Sequence, residues 1–214
     1  MPDAAPGRPR TPTEAWTTLR VGNERFVAGA MEHPSQNAHR RGELTAAQHP
    51  FAVVFGCSDS RVAAEIIFDQ GLGDVFVVRT AGHVIDTTVL GSIEYGVTVA
   101  GASLVVVVGH DRCGAIGAAV DALRNAQVPP GFVWAVVDRV IPSIIGMDWD
   151  EPLSALDPER LGTEHVRHTV QMLTGYSGSL AERVQAGTLA IVGVEYALAD
   201  GRVRLVQAAG EIGA

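Results

Sequence analysis

The middle of the chain carries three short, unbroken apolar runs: FAVVF (Phe51 to Phe55), VFVVR (Val75 to Arg79) and SLVVVV (Ser103 to Val108). They are rich in β-branched residues and do not alternate with polar ones. That pattern marks strands buried on both faces, as in a parallel sheet covered by helices. Segments of helical character lie between and after them, at Ala63 to Phe68, Val89 to Val99 and Ala115 to Ala126. Two more helical stretches follow, around Val133 to Ile145 and Glu159 to Ala186, and Gly175 and Gly178 divide the second into two helices. TLAIVGVEY (Thr188 to Tyr196) reads as a further apolar strand, Ala199 to Gly201 as a hairpin-like turn, and VRLVQ (Val203 to Gln207) as a final edge strand. The expected fold class is α/β. It is an open, mainly parallel central sheet of about four parallel strands plus an edge strand, covered by helices, with an N-terminal helical arm.

The N-terminus has a different character. Residues 1–11 are proline-rich and poor in large apolar side chains, which predicts a flexible arm. TPTE then supplies Thr11 as N-cap, Pro12 at the first helical position and Glu14 three residues after the cap. Trp16, Leu19, Asn23, Phe26 and Val27 continue at helical spacing, so a helix is predicted from about Pro12 to Ala28. Its apolar stripe must dock on the domain or on another subunit. Residues 12–214 are expected to form one domain. Glu94, Tyr95, Val97 and Val99 read as core and interface packing. Arg40-Arg41 and Asp148 to Glu151 read as solvated loops.

Composition narrows the classes of function. The chain has 214 residues with 16 Lys plus Arg against 24 Asp plus Glu, a net charge of −8. No basic stripe is offered to nucleic acid, and there is no electrostatic reason to sit on an anionic membrane. No apolar run approaches the ~18 residues of a spanning helix, and no signal-peptide stretch precedes the helix. Two cysteines in a chain of this size do not make a disulfide scaffold. A cytoplasmic location is expected, where thiols stay reduced and free to bind metal or react.

The chemistry should lie just beyond the carboxyl ends of the strands, where open α/β sheets bind ligands. After the first strand comes Gly56-Cys57-Ser58-Asp59-Ser60-Arg61, and after the third Gly109-His110-Asp111-Arg112-Cys113-Gly114. Both cysteines fall there. If the first and third strands are neighbours, Cys57, His110 and Cys113 converge. Two cysteines and one histidine suit zinc, and three protein ligands leave the fourth position open, as in catalytic rather than structural sites. Competing readings are two buried cysteines beside a hydrogen-bonded histidine, or a Cys57–Cys113 redox pair that leaves His110 unexplained. Two thiolates neutralise the dication, so the site needs help to hold a hydroxide. Arg61 can keep Asp59 ionised as a two-point pair. Asp59 would then accept a hydrogen bond from the zinc-bound oxygen, or alternatively swing in as a fourth ligand and close the site. A mere loop-stiffening salt bridge is the plainer alternative.

These residues resemble those of the β-class carbonic anhydrases. The matching stretches are GNERF (Gly22 to Phe26), CSDSRV (Cys57 to Val62), GDVFVVRTAG (Gly73 to Gly82), GSIEYGV (Gly91 to Val97), GHDRCGA (Gly109 to Ala115) and IVGVEYALADGRV (Ile191 to Val203). The resemblance covers nearly the whole chain from Thr13. It implies one Zn2+ per chain on Cys57, His110 and Cys113, with Asp59 and Arg61 as the catalytic dyad. It implies reversible hydration of CO2 to bicarbonate and a proton, by attack of zinc-bound hydroxide. It also implies a homo-oligomer, dimer or tetramer, with N-terminal helices wrapped over the partner and active sites at the dimer interface. A narrow apolar pocket would suit CO2.

The chain departs from the family pattern twice. His83 stands where many relatives have Asn. Val54 stands where bicarbonate-inhibited members have Trp, so their noncatalytic bicarbonate pocket is not carried over, although Arg79 and Tyr196 are present. His83 is a candidate proton shuttle or a hydrogen-bonded structural histidine. His165 and His168 have metal-pair spacing but read as a solvated helix face. Hydrolysis of COS or CS2 on the same site, and a non-catalytic zinc-binding scaffold, are the alternatives. A zinc alcohol dehydrogenase is excluded, since no G-x-G-x-x-G follows any strand.

Overall fold

The computed structural model describes residues 8–147 and 152–213. The first seven residues of the expected arm and the charged run Asp148 to Glu151 therefore lie outside the described residues. Five strands form one sheet, β1 (Ala52–Cys57), β2 (Val75–Thr80), β3 (Leu104–His110), β4 (Ala190–Tyr196) and β5 (Val203–Ala209), in the order β2-β1-β3-β4-β5. The first four are parallel, and β5 returns antiparallel to β4. The expected four parallel strands plus an edge strand are present, and the first and third strands are neighbours.

Strand burial explains the sequence pattern. Every residue of β1 and β3 is buried. Alternate side chains feed two separate layers. Val54, Val106, Val192 and Val194 face Trp16, Leu19, Ile67 and Phe68. Val53, Phe55, Val105, Val107 and Ile191 face Ile93, Val97, Val166, Val170 and Leu173. The helices are α1 (Pro12–Val27), α2 (Ala38–Glu43), α3 (Ala64–Ile67), α4 (Thr87–Thr98), α5 (Gly114–Asn125), α6 (Val133–Val140), α7 (Pro158–Tyr176) and α8 (Gly178–Gln185). A third apolar cluster gathers Cys57 and Cys113 with residues of α5, α6 and α7 such as Ile116, Val120, Val137 and Leu161.

Helix α1 opens with the full capping box: Thr11 Oγ1 accepts from Glu14 N–H, and the Glu14 carboxylate accepts from Thr11 N–H. Such a cap contributes about 1 kcal/mol. The stripe of Ala15, Trp16 and Leu19 is buried on the chain's own sheet layer. The GNERF stretch is the hinge of this docking. A Cβ at Gly22 would stand 1.8 Å from the Phe68 carbonyl oxygen, so only glycine allows the approach. Buried Asn23 donates to the carbonyls of Ile67 and Gly201 and accepts from Val203 N–H at 2.9 Å. Arg25 pairs with buried Asp69 at 2.6 Å.

Two readings of polar positions need correction. Arg40-Arg41 belong to α2, capped by Asn37, and Arg40 Nε donates to the Leu72 carbonyl at 3.1 Å. His165 is fully buried rather than on a solvated face, because α7 turns that side of itself towards the sheet and the turn after β2. No described helix is long and apolar enough to cross a membrane.

Candidate metal centre

The strand order reverses at β1, which has β2 on one side and β3 on the other. The crevice at the carboxyl ends of β1 and β3 is therefore the position where such a sheet binds ligands. Cys57 is the last residue of β1 and His110 the last of β3, while Cys113 caps α5. The ligand atoms of Cys57, His110 and Cys113 all lie within 4.8 Å of one another, and all three residues are buried. Both cysteines are free thiols.

The histidine is already set for ligation. His110 Nδ1 lies 2.8 Å from the Asp111 carbonyl oxygen, which can only accept, so Nδ1 carries the hydrogen. Nε2 is then a lone pair, buried and without a hydrogen-bond partner among the described residues. This is the arrangement of a metal-ligating imidazole oriented by its other nitrogen. The cluster draws the Cys57 thiol down: Cys113 has the largest effect, with His110 and the N–H groups of Asp59 and Gly82 adding to it against the opposing effect of burial. Cys57, with burial, pushes the Cys113 thiol up. A buried trio of soft and borderline donors, with one thiol ready to ionise, fits a zinc-like cation.

Asp59 and Arg61 stand at the rim. Arg61 Nε and Nη2 donate to the two Asp59 oxygens at 2.9 and 2.7 Å, and Arg61 N–H adds a third bond of 2.9 Å. These hydrogen bonds hold the Asp59 carboxyl well below the usual carboxylate range, against a smaller opposing effect of burial. Asp59 Oδ2 lies 4.0 Å from His110 Nε2. The carboxylate thus remains ionised and faces the cluster.

Two residues matter more than the sequence pattern suggested. Arg79 donates to the Cys57 carbonyl at 2.9 Å and the Asp59 carbonyl at 2.7 Å, clasping the loop that carries both. The available signal was a charge closing an otherwise apolar strand. His165 is the other: Nε2 lies 2.9 Å from the Gly82 carbonyl, and Nδ1 2.8 Å from Ser143 Oγ.

His83 is 2 % exposed, and neither ring nitrogen has a partner within the described residues. Burial, with His165 and His110 nearby, lowers its basicity well below the histidine norm. A cleft of about 310 Å³ opens beside His110 and Cys113, lined by Ile116 and Gly117 but also by Glu159 and Glu195, so it is not wholly apolar. A larger cavity of about 740 Å³ lies away from the cluster, among Leu44, Leu72, Tyr95 and Val99.

A parallel α/β sheet with a Cys-His-Cys cluster at its switch point defines the class: an enzyme fold built around a candidate metal centre. Comparison with known proteins makes it specific. The family described as carbonic anhydrase matches residues 52–203. Carbonic anhydrase 2 of Mycobacterium tuberculosis is 55% identical over 202 residues, covering 94% of this chain and 96% of that protein. The carbonic anhydrase of Mycolicibacterium smegmatis is 57% identical, covering 94% and 97%. Among solved structures, the Coccomyxa β-carbonic anhydrase in complex with acetazolamide shares the fold with a TM-score of 0.69 at 22% identity, covering 79% of this chain and 78% of that one. One of the tetrameric β-carbonic anhydrases of Sordaria macrospora has a TM-score of 0.67 at 21% identity, covering 87% and 94%. The chain belongs to the β-class carbonic anhydrase family.

Proposed function

We propose that the chain hydrates CO2 reversibly to bicarbonate and a proton, with one zinc ion held by Cys57, His110 and Cys113. The observation that carries this reading is the ionised Asp59, gripped by Arg61 and 4.0 Å from His110 Nε2. A zinc-binding scaffold would have no use for it. When bound, zinc supplies a Lewis acid that makes water nucleophilic near neutral pH. Asp59 Oδ2 accepts the hydrogen bond of the attacking water and so aims its lone pair at the carbon. Arg61 keeps that carboxylate charged and fixes its plane. Arg79 holds the loop backbone, so the Asp59 carboxylate and the Cys57 sulfur keep their relative positions. Both Asp59 oxygens are bound to Arg61, which supports the arrangement in which Asp59 is not a fourth ligand. Closing the site would require Arg61 to let go.

A proton must leave after each turnover, and His83 is a poor carrier: it is buried, and its basicity is well below the histidine norm. We therefore give it no shuttle role. Residues 12–214 are read as one domain and as a homo-oligomer, a dimer or tetramer with active sites at the dimer interface. In support, Tyr95 is 49% and Val99 65% exposed beside edge strand β2. Two free thiols suit a reducing compartment such as the cytoplasm.

The test is stopped-flow CO2 hydration by the zinc-loaded protein at mildly alkaline pH, beside Cys57→Ala and Asp59→Ala. Fast hydration, lost in both variants, is the expected result. Zinc bound in full with no hydration overturns the reading and turns attention to COS and CS2.

A further inference from the structure

The Cys57 sulfur accepts two backbone N–H groups. One comes from Asp59, two residues on in the same loop, at 3.4 Å. The other comes from Gly82, in the turn after β2, at 3.3 Å. The Gly82 residue that makes the second bond is held in an uncommon geometry. Its φ is 66°, and a Cβ there would stand 2.7 Å from the Ala115 Cβ, so the position demands glycine twice over. His83, the next residue, also has a left-handed φ of 42°. Something must hold this turn in register.

Thr80 Oγ1 spans the turn by donating to the Val84 carbonyl at 3.0 Å, and a second holding contact, on Gly82 itself, comes from α7. The Gly82 carbonyl can only accept, so His165 Nε2, 2.9 Å away, carries the hydrogen and donates it. His165 Nδ1 is then an acceptor, and the Ser143 hydroxyl donates to it at 2.8 Å. Ser143, His165 and the Gly82 residue are all buried, so neither bond is shared with solvent. Burial lowers the His165 imidazole to about 4, so it stays neutral and keeps this single tautomer. His83 lies against the same ring, with centroids 4.4 Å apart. The series runs from the Ser143 hydroxyl through His165 and Gly82 to the sulfur of Cys57.

We propose that His165 is a positioning residue for the metal centre: by fixing Gly82 it aims the Gly82 N–H at Cys57 Sγ and tunes that thiolate as a ligand. The inference rests on the zinc reading above. Its chemistry follows from the donor set. Two thiolates would neutralise a dication and weaken its Lewis acidity. An N–H donated to one sulfur withdraws part of that charge and also fixes the sulfur's direction. Outer partners of metal ligands commonly change affinity by about 10–100-fold when removed.

The pair of variants that tests this is His165→Met and His165→Gln. They have similar length, but only Gln keeps an N–H near the Nε2 position. Zinc affinity is measured by chelator competition, and the thiolate-to-metal charge-transfer band is recorded after cobalt(II) replaces zinc. His165→Met is expected to weaken zinc binding by about 10-fold or more and to move the band to longer wavelength, since an undamped sulfur gives up charge more easily. His165→Gln should recover most of both. A folded His165→Met with wild-type affinity and an unmoved band overturns the proposal. If His165→Met does not fold, the nitrogen-15 NMR tautomer of His165 in the wild-type holoenzyme decides: a proton on Nδ1 overturns it, and one on Nε2 with affinity lost only partly in His165→Gln supports it. A wild-type chain that fails to bind zinc at all would instead sink the zinc reading itself, so the two failures are distinguishable.

Discussion

Arg61 meets Asp59 edge to edge, Nε to Oδ1 at 2.9 Å and Nη2 to Oδ2 at 2.7 Å, so the carboxylate has neither rotational freedom nor an easy route to protonation. Replacing its charge without its shape isolates its chemical role. Asp59→Asn should keep the zinc content of the wild type and lose about 10²–10⁴-fold in hydration rate, the usual worth of a positioned proton acceptor. Arg61→Lys should lose less, because lysine keeps the charge but not the fork. Metal analysis beside stopped-flow rates checks both. Zinc lost in proportion to activity in Asp59→Asn would make Asp59 a structural residue instead.

Arg79 makes two charge-assisted bonds to the backbone carbonyls of Cys57 and Asp59. Hydrogen bonds involving a charged group contribute about 1.5–3 kcal/mol each, less where solvent competes. Arg79→Met should lower the unfolding free energy by about 2 kcal/mol and speed zinc loss to a chelator. Denaturant unfolding of the zinc-loaded protein measures the first and a dissociation time course the second. Unchanged values in both would mean that the clasp does not form in solution.

The sheet was legible because burial on both faces leaves an unambiguous trace: β1 and β3 have no polar position to misread before Gly56 and Gly109. The metal ligands were legible because topology places strand ends, and both cysteines stand at strand ends that the order β2-β1-β3 makes adjacent. Short α2 was missed because it has no buried face to impose a period on its sequence. His165 was misread for the opposite reason. Its spacing with His168 suggested a polar helix face, but its partners, Gly82 and Ser143, are distant in sequence and only the fold joins them. Arg79 bonds to backbone carbonyls, and a carbonyl has no sequence signature.

Removing the metal should cost stability as well as activity. The three ligand groups come from the ends of the paired strands β1 and β3 and the start of α5, so a bound ion ties the sheet to a helix that otherwise packs through apolar side chains. A ligand at 100 times its Kd stabilises by about 2.7 kcal/mol. In a chain of this size that raises the melting temperature by roughly 5–10 °C. Chelator-treated protein should melt that much lower, and zinc should restore it. In Cys113→Ser, zinc should restore little. Identical melting of wild type with and without chelator, with zinc loss verified, would count against a crosslinking ion.

Acid should destabilise the fold through its two buried histidines. His83 lies well below the histidine norm and His165 at about 4, in each case chiefly because burial opposes the charged ring. Both are neutral in the folded protein, whereas in the unfolded chain they take up protons near pH ~6.5. Between those values the unfolded state binds more protons, so stability rises with pH. The contribution is fully present above pH ~6.5 and is lost as pH falls through the folded values, by at most about 1.4 kcal/mol per pH unit for each histidine. His110 has the opposite sign: burial opposes its charge, but Cys57, the Asp111 carbonyl and Asp59 outweigh that and raise it. A comparison made on chelator-treated, metal-free protein, with His110 unchanged, therefore isolates the buried pair. Urea unfolding at a series of pH values should give a steep acid limb for wild type and a flatter one for His83→Asn combined with His165→Gln. Limbs of equal slope would show that the native protein already accommodates those protons.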